Sequence, residues 1–187
     1  MIRLIAIIVL MFLSCKASAM QEYIEFVEDK KIHQTLVFLT KQKETIPTLR
    51  AILGENITEK PIKIMFFDLS SMNQSYKKLD ALTCQRNNGS LYIFINTIHR
   101  EAPIEAIACL LAHEVIHQDN YESIAEEIQG WTAEAKTWKK LRRKCKEAKN
   151  NDIPLIARLN TIYKLYKKGN IPEAIRTNLA YKDLPEN

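Results

Sequence analysis

The chain has 187 residues, 47% of them apolar and 26% charged, which is a globular balance rather than a disordered one. Four Gly and six Pro exclude collagen-like and low-complexity chains, and four Cys are too few for a disulfide scaffold. A formal charge of +5 is too weak to mark a nucleic-acid binder, so no nucleic-acid partner is expected.

In chain order, residues 1–19 read as an export signal. Arg3 gives a positive start, Leu4 to Leu13 is a run of apolar residues, and Ala17-Ser18-Ala19 supplies the small-x-small pattern of a cleavage site. The run is short of the roughly 20 apolar residues of a membrane span. Phe12-Leu13-Ser14-Cys15 weakly resembles a bacterial lipobox. Phe12 stands where Leu is usual, so lipid anchoring through Cys15 ranks below ordinary cleavage. The expectation is a periplasmic or secreted protein whose single mature domain is residues 20–187. Losing Arg3 and Lys16 lowers its charge from +5 to +3.

Residues 22–53 carry apolar positions at helical spacing (Ile24, Val27, Ile32, Leu36, Leu39), with Pro47 expected to separate two helices. Ile62 to Leu69 reads as a buried strand. Leu82 to Arg86 and Ser90 to Thr97 flank Asn87-Asn88-Gly89, a hairpin signal. Pro103 opens a helix to about His117, and a second runs from Ser123 to about Lys146. Residues 152–182 are expected to form further helices, broken at Gly169-Asn170, as a possible helical extension. The fold class is therefore α+β: a small hairpin-bearing sheet between helical parts. Of the cysteines, Cys109 reads as a buried small hydrophobe, and Cys84–Cys145 is the only pair to consider for a disulfide.

His113-Glu114-Val115-Ile116-His117 matches H-E-x-x-H within an expected helix. Residues four apart share a helix face, so His113 and His117 can offer two imidazoles to one Zn²⁺. Glu114 can then take a proton from a water activated at the metal. This run resembles the zincin metallopeptidases, and the similarity spans roughly residues 62–138. The resemblance implies a peptide or protein substrate. It also implies a short sheet ahead of the motif helix, whose edge strand (here residues 91–97) pairs with extended substrate, and a third ligand from a later helix. The metzincin continuation is absent, because Asn120 and Ser123 occupy its Gly and His places. A gluzincin-like Glu ligand remains, with Glu122, Glu126, Glu127 and Glu134 as candidates.

Ile124, Ile128, Trp131, Ala135 and Trp138 form one apolar stripe on the later helix. Glu126 points away from it and suits a capping box with Ser123. Glu127 lies on the flank of the stripe, and Gly130, three residues on, lets another helix approach. Glu127 is the expected third ligand. Glu134, on the same flank, suits an acceptor for a ligand imidazole N–H, and Glu126 and Glu134 stay open as alternative ligands. Tyr121 and His99 are candidate transition-state stabilisers, although a half-buried aromatic and a structural His are the simpler readings. Lys136 to Lys149 holds eight basic residues and one acid, a solvated face or a contact for an anionic envelope surface.

Overall fold

The computed structural model describes residues 21–187; the expected export signal and Cys15 lie outside them. After a short helical stretch at 21–25, helix α1 (Lys30–Thr40) starts at Asp29. The Asp29 Oδ1 accepts from the Lys31 and Ile32 N–H groups at 2.9 and 3.1 Å, satisfying two donors that the first turn leaves open. Helix α2 (Ile46–Ile52) holds Pro47 in its first turn, where a missing N–H is harmless; the break between the two helices falls at residues 41–45 instead.

Three strands form the sheet: β1 (Lys63–Phe67), β2 (Ala81–Gln85) and β3 (Leu91–Asn96), in the order β1-β3-β2. β1 runs parallel to β3, and β2 antiparallel. Leu91, Ile93, Phe94 and Ile95 of β3 are all buried, as a strand apolar on both faces requires. This position corrects the expectation for residues 91–97. A central strand has both backbone edges occupied, so it has none to offer an extended substrate; β2 is an edge strand, and its Thr83 meets the motif helix. The β2–β3 turn uses Gly89 at φ +76° and closes with Gly89 N–H donating to Arg86 O at 2.8 Å. Asn87 and Asn88 keep negative φ, so this is a longer loop ending in a left-handed Gly rather than a two-residue turn.

Helix α3 (Ile104–Glu114) packs between the sheet and α1 and is buried from Ala106 onward. Helix α4 (Ile124–Leu141) crosses it, and α5 (Pro154–Lys168) and α6 (Ile171–Arg176) cover the far side of α4. Trp138 of α4 and Leu155, Ile156 and Leu159 of α5 enter the same core as the sheet and α3. The fold is thus α+β. Among the described residues no helix is long and apolar enough to cross a membrane. Cys109 is fully buried, as expected. Cys84 and Cys145 are not bonded: Cys84 is half-buried on β2, whereas Cys145 sits in the core beyond α4, so the disulfide is absent.

Candidate metal centre

α3 delivers His113 and Glu114 in its last turn and then stops. The sequence expectation of helix through His117 does not hold, because Val115 is already the cap and Ile116 N–H turns back to His113 O at 2.9 Å. Gln118 explains the stop. Its side-chain Nε2 donates to Val115 O at 3.4 Å, the carbonyl the next helical turn would use, and its Oε1 accepts from Ile57 N at 2.9 Å. His117 still lies beneath His113, with the two Nε2 atoms 3.2 Å apart.

Glu127 completes the cluster from α4. Ser123 caps that helix, its Oγ accepting from Glu126 N at 3.2 Å, which fixes the first turn and hence where Glu127 points. Glu127 Oε2 lies 3.7 Å from His113 Nε2, and Oε1 lies 3.5 Å from His117 Nε2. Gly130 makes the approach possible: a Cβ there would sit 2.6 Å from His113 Cδ2 and 2.7 Å from its Nε2.

These three residues fit a zinc ion. Ligand atoms at about 2.0–2.1 Å around a tetrahedral Zn²⁺ are about 3.3–3.4 Å apart; the two Nε2 atoms, at 3.2 Å, are close to that value, and each imidazole lies 3.5 or 3.7 Å from a different oxygen of the Glu127 carboxylate. Glu127 Oε2 is buried without a hydrogen-bond partner, so a buried acceptor there is open to a cation. Burial first, and then the charge of His113, lower the His117 pKa to about 4, which keeps its imidazole neutral, the form that binds metal. His113 is pushed the other way: burial opposes its protonation, but the Glu134 hydrogen bond and the charges of Glu114, Glu134 and Glu127 outweigh it.

Glu134 is fully buried and faces the other side of the His113 ring, its Oε2 lying 3.2 Å from Nδ1. An ionised carboxylate only accepts, so Nδ1 carries a proton, and once Nε2 gives up its own, as metal binding requires, its lone pair faces the cluster. The expected acceptor role of Glu134 therefore has its geometry. Glu134 is in turn paired with Arg158 Nη1 from α5. Arg158 Nε reaches Asp80 Oδ2 at 2.8 Å, and Asp80 Oδ1 meets His99 Nε2 at 2.6 Å. Burial opposes ionisation of Asp80, but His99 and Arg158 outweigh it and hold its pKa below the ordinary carboxylate value. His99 thus joins the far end of a partly buried chain rather than the cluster itself.

Glu114 is buried beside the cluster, and its Oε2 accepts from the Thr83 hydroxyl of β2 at 2.8 Å. Burial is the main cause that raises its pKa, with His113 and Thr83 pulling it down and Glu127 adding to the rise. Tyr181, from the segment after α6, lies beside Glu127 and receives the Trp131 indole N–H at 3.4 Å; burial and the Glu127 charge raise its pKa. Tyr121 does not join them. It is 58% exposed and its hydroxyl donates to Asn187 O at 2.9 Å, so the transition-state role expected of it has no geometry here. Glu122 is exposed. The Glu126 backbone N–H is held by Ser123 and its Oε2 is buried without a hydrogen-bond partner, but its carboxylate does not join the three residues whose ligand atoms converge.

Four participants escaped the sequence reading: Asp80, Thr83, Arg158 and Tyr181. Only Arg158 left a usable signal, a lone cation on the apolar stripe formed by Leu155, Leu159 and Ile162. No family model, curated protein or solved structure matches this chain.

Proposed function

We propose that this chain is an exported zinc-dependent metallohydrolase acting on peptides or proteins, with His113, His117 and Glu127 as ligands and Glu114 as the acid–base group. The observation that carries the reading is the buried triangle of two imidazole Nε2 atoms and one carboxylate beside a further carboxylate. Export rests on the sequence of residues 1–19, and the choice of peptides rests on the zincin resemblance.

Zinc bound there would supply Lewis acidity, lowering the pKa of water and polarising a carbonyl. The chain's own groups do the rest. Glu134 holds the His113 proton on Nδ1 and so keeps Nε2 available. Thr83 engages one oxygen of Glu114, leaving the other to accept a proton from water and return it to the leaving amine. Burial of Glu114 raises its proton affinity toward the range useful for both transfers. An extended substrate would add to the outer edge of β2, as in β-strand addition, because β3 is central. Asn120 already occupies that edge at Gln85, so pairing starts toward Ala81.

A second reading has one observation in its favour. His113, His117 and Glu127 are only 4–7% exposed, a degree of closure that suits a structural metal site in a binding protein. One set of measurements separates the two. The purified mature protein should hold about one zinc per chain, lost in His113→Ala. Glu114→Ala should retain zinc and lose cleavage of a broad peptide library. Absence of zinc in the wild type sinks the metal centre; zinc without any cleavage favours the structural reading.

A further inference from the structure

Most of the positive charge near the end of α4 is spread over solvent, but part of it is gathered. A pocket of about 280 Å³ opens between the end of α4, the segment after it and α5, and its wall includes Arg142, Lys149, Lys164 and Lys167. Among the described residues none of these four forms an ion pair with a carboxylate. Lys149, Lys164 and Lys167 are exposed, so solvent screens much of the repulsion among the four, and two things favour their convergence further: contacts that hold the side chains and an anion that neutralises them.

Part of the holding is visible. Tyr163 lies in the same wall, with the Arg142 guanidinium 4.9 Å and the Lys167 ammonium 5.3 Å from its ring centroid. Asn151 adds uncharged donors. Its Oδ1 is taken by Asn160 Nδ2 at 3.0 Å, which leaves its own amide N–H groups for the pocket. The lining is therefore rich in donors, and its charged groups are all cationic. The volume falls just under the roughly 300 Å³ at which pockets for drug-sized ligands begin, so the occupant is compact. A carboxylate offers two acceptor oxygens to these donors, whereas a phosphate monoester offers three and up to two charges.

We infer that this pocket binds a phosphate monoester group, carried either by a small molecule or by the headgroup of a lipid. The site is independent of the metal centre, and its test does not depend on hydrolysis. Inorganic phosphate is titrated calorimetrically into the purified wild type, into Arg142→Gln/Lys167→Gln, and into Lys139→Gln/Lys140→Gln. The last pair removes the same charge from exposed positions of α4 outside the pocket. The expected result is saturable binding of one phosphate, weakened about 30-fold in the pocket variant and little changed in the control. A melting curve checks that the pocket variant is folded; if it is not, Lys149→Gln/Lys164→Gln replaces it. Phosphatidylcholine vesicles with and without phosphatidic acid then identify the carrier. Pocket-dependent binding to the acidic vesicles assigns the group to a lipid, and its absence beside intact phosphate binding assigns it to a small molecule. Unsaturable phosphate binding, or equal losses in the two double variants, overturns the site in favour of diffuse surface charge.

Discussion

Gly130→Ala tests the centre through two opposing effects at one atom. In the interior of a helix, Ala is favoured over Gly by about 1 kcal/mol, so on an open helix face the substitution stabilises. At Gly130 the added Cβ would meet the His113 ring at 2.6 Å, where ordinary contacts begin at 3.4 Å. The ring must therefore retreat by about 0.8 Å, or α4 must shift. Overpacking of this kind costs about 1–3 kcal/mol, which cancels or exceeds the propensity gain. Binding should suffer more than folding, because ligand groups tolerate displacements of only about 0.5 Å. Moving His113 Nε2 away widens separations of 3.2 and 3.7 Å to His117 and Glu127 and loads the Nδ1 bond to Glu134. The expected outcome is a zinc affinity about 10–100-fold weaker, with metal-free stability unchanged or lower by up to about 2 kcal/mol. Competition with a chelating dye reads the first, and urea unfolding in chelator reads the second. A variant that binds zinc like the wild type and unfolds later would refute the argument, since His113 would then not be held against α4.

Arg158→Met should destabilise the fold by about 3–5 kcal/mol in chemical denaturation, because it leaves fully buried Glu134 without its cation; adding Glu134→Gln should recover part of the loss. Asp80→Asn probes the same chain through pH. The depressed pKa of Asp80 means that its contribution is present above the ordinary carboxylate pKa and is lost as pH falls through the folded value. The stability gap between wild type and variant should therefore close in acid, and a constant gap would show that the charge of Asp80 is irrelevant. Tyr181→Phe removes the hydroxyl that lies beside Glu127 and should lower zinc affinity up to about tenfold without unfolding the protein, read by the same dye competition. Apparent zinc affinity should also fall as pH drops, because the two imidazoles must be free of the proton that otherwise lies between them; a pH-independent affinity would exclude them as ligands.

The local elements were legible in the sequence because their signals are local. Ser123 with Glu126 marked the start of α4, Gly169 marked the end of α5, and alternation-free apolar β3 announced a strand covered on both faces. Long-range consequences were less legible. Nothing in residues 91–97 distinguishes a central strand from an edge strand, since pairing with residues 63–67 is decided by parallel register across intervening chain. The end of α3 at Glu114 depends on a Gln118 side chain whose other partner, Ile57, is remote. The Cys84–Cys145 pairing was a question of distance, which composition does not encode.

α4 shows why the candidate site was only partly readable. Its apolar positions Ile124, Ile128, Trp131 and Ala135 form the stripe expected from periodicity, and this face packs against α5, α6 and the following segment. A second buried face, through Glu127, Gly130, Glu134 and Thr137, meets α3 and has little hydrophobic periodicity to announce it. Counting polar residues as solvent-facing assigns Glu127 and Glu134 to a flank, when each is buried against His113. A helix interior accepts two carboxylates only where partners neutralise them: Arg158 and the His113 N–H do so for Glu134. Glu127 has the two imidazoles and the Tyr181 hydroxyl around it and keeps one buried oxygen unbonded. That asymmetry separates their roles. The carboxylate paired with Arg158 orients the imidazole, and on the proposed reading the carboxylate that has only imidazoles for cations is the one that binds an ion.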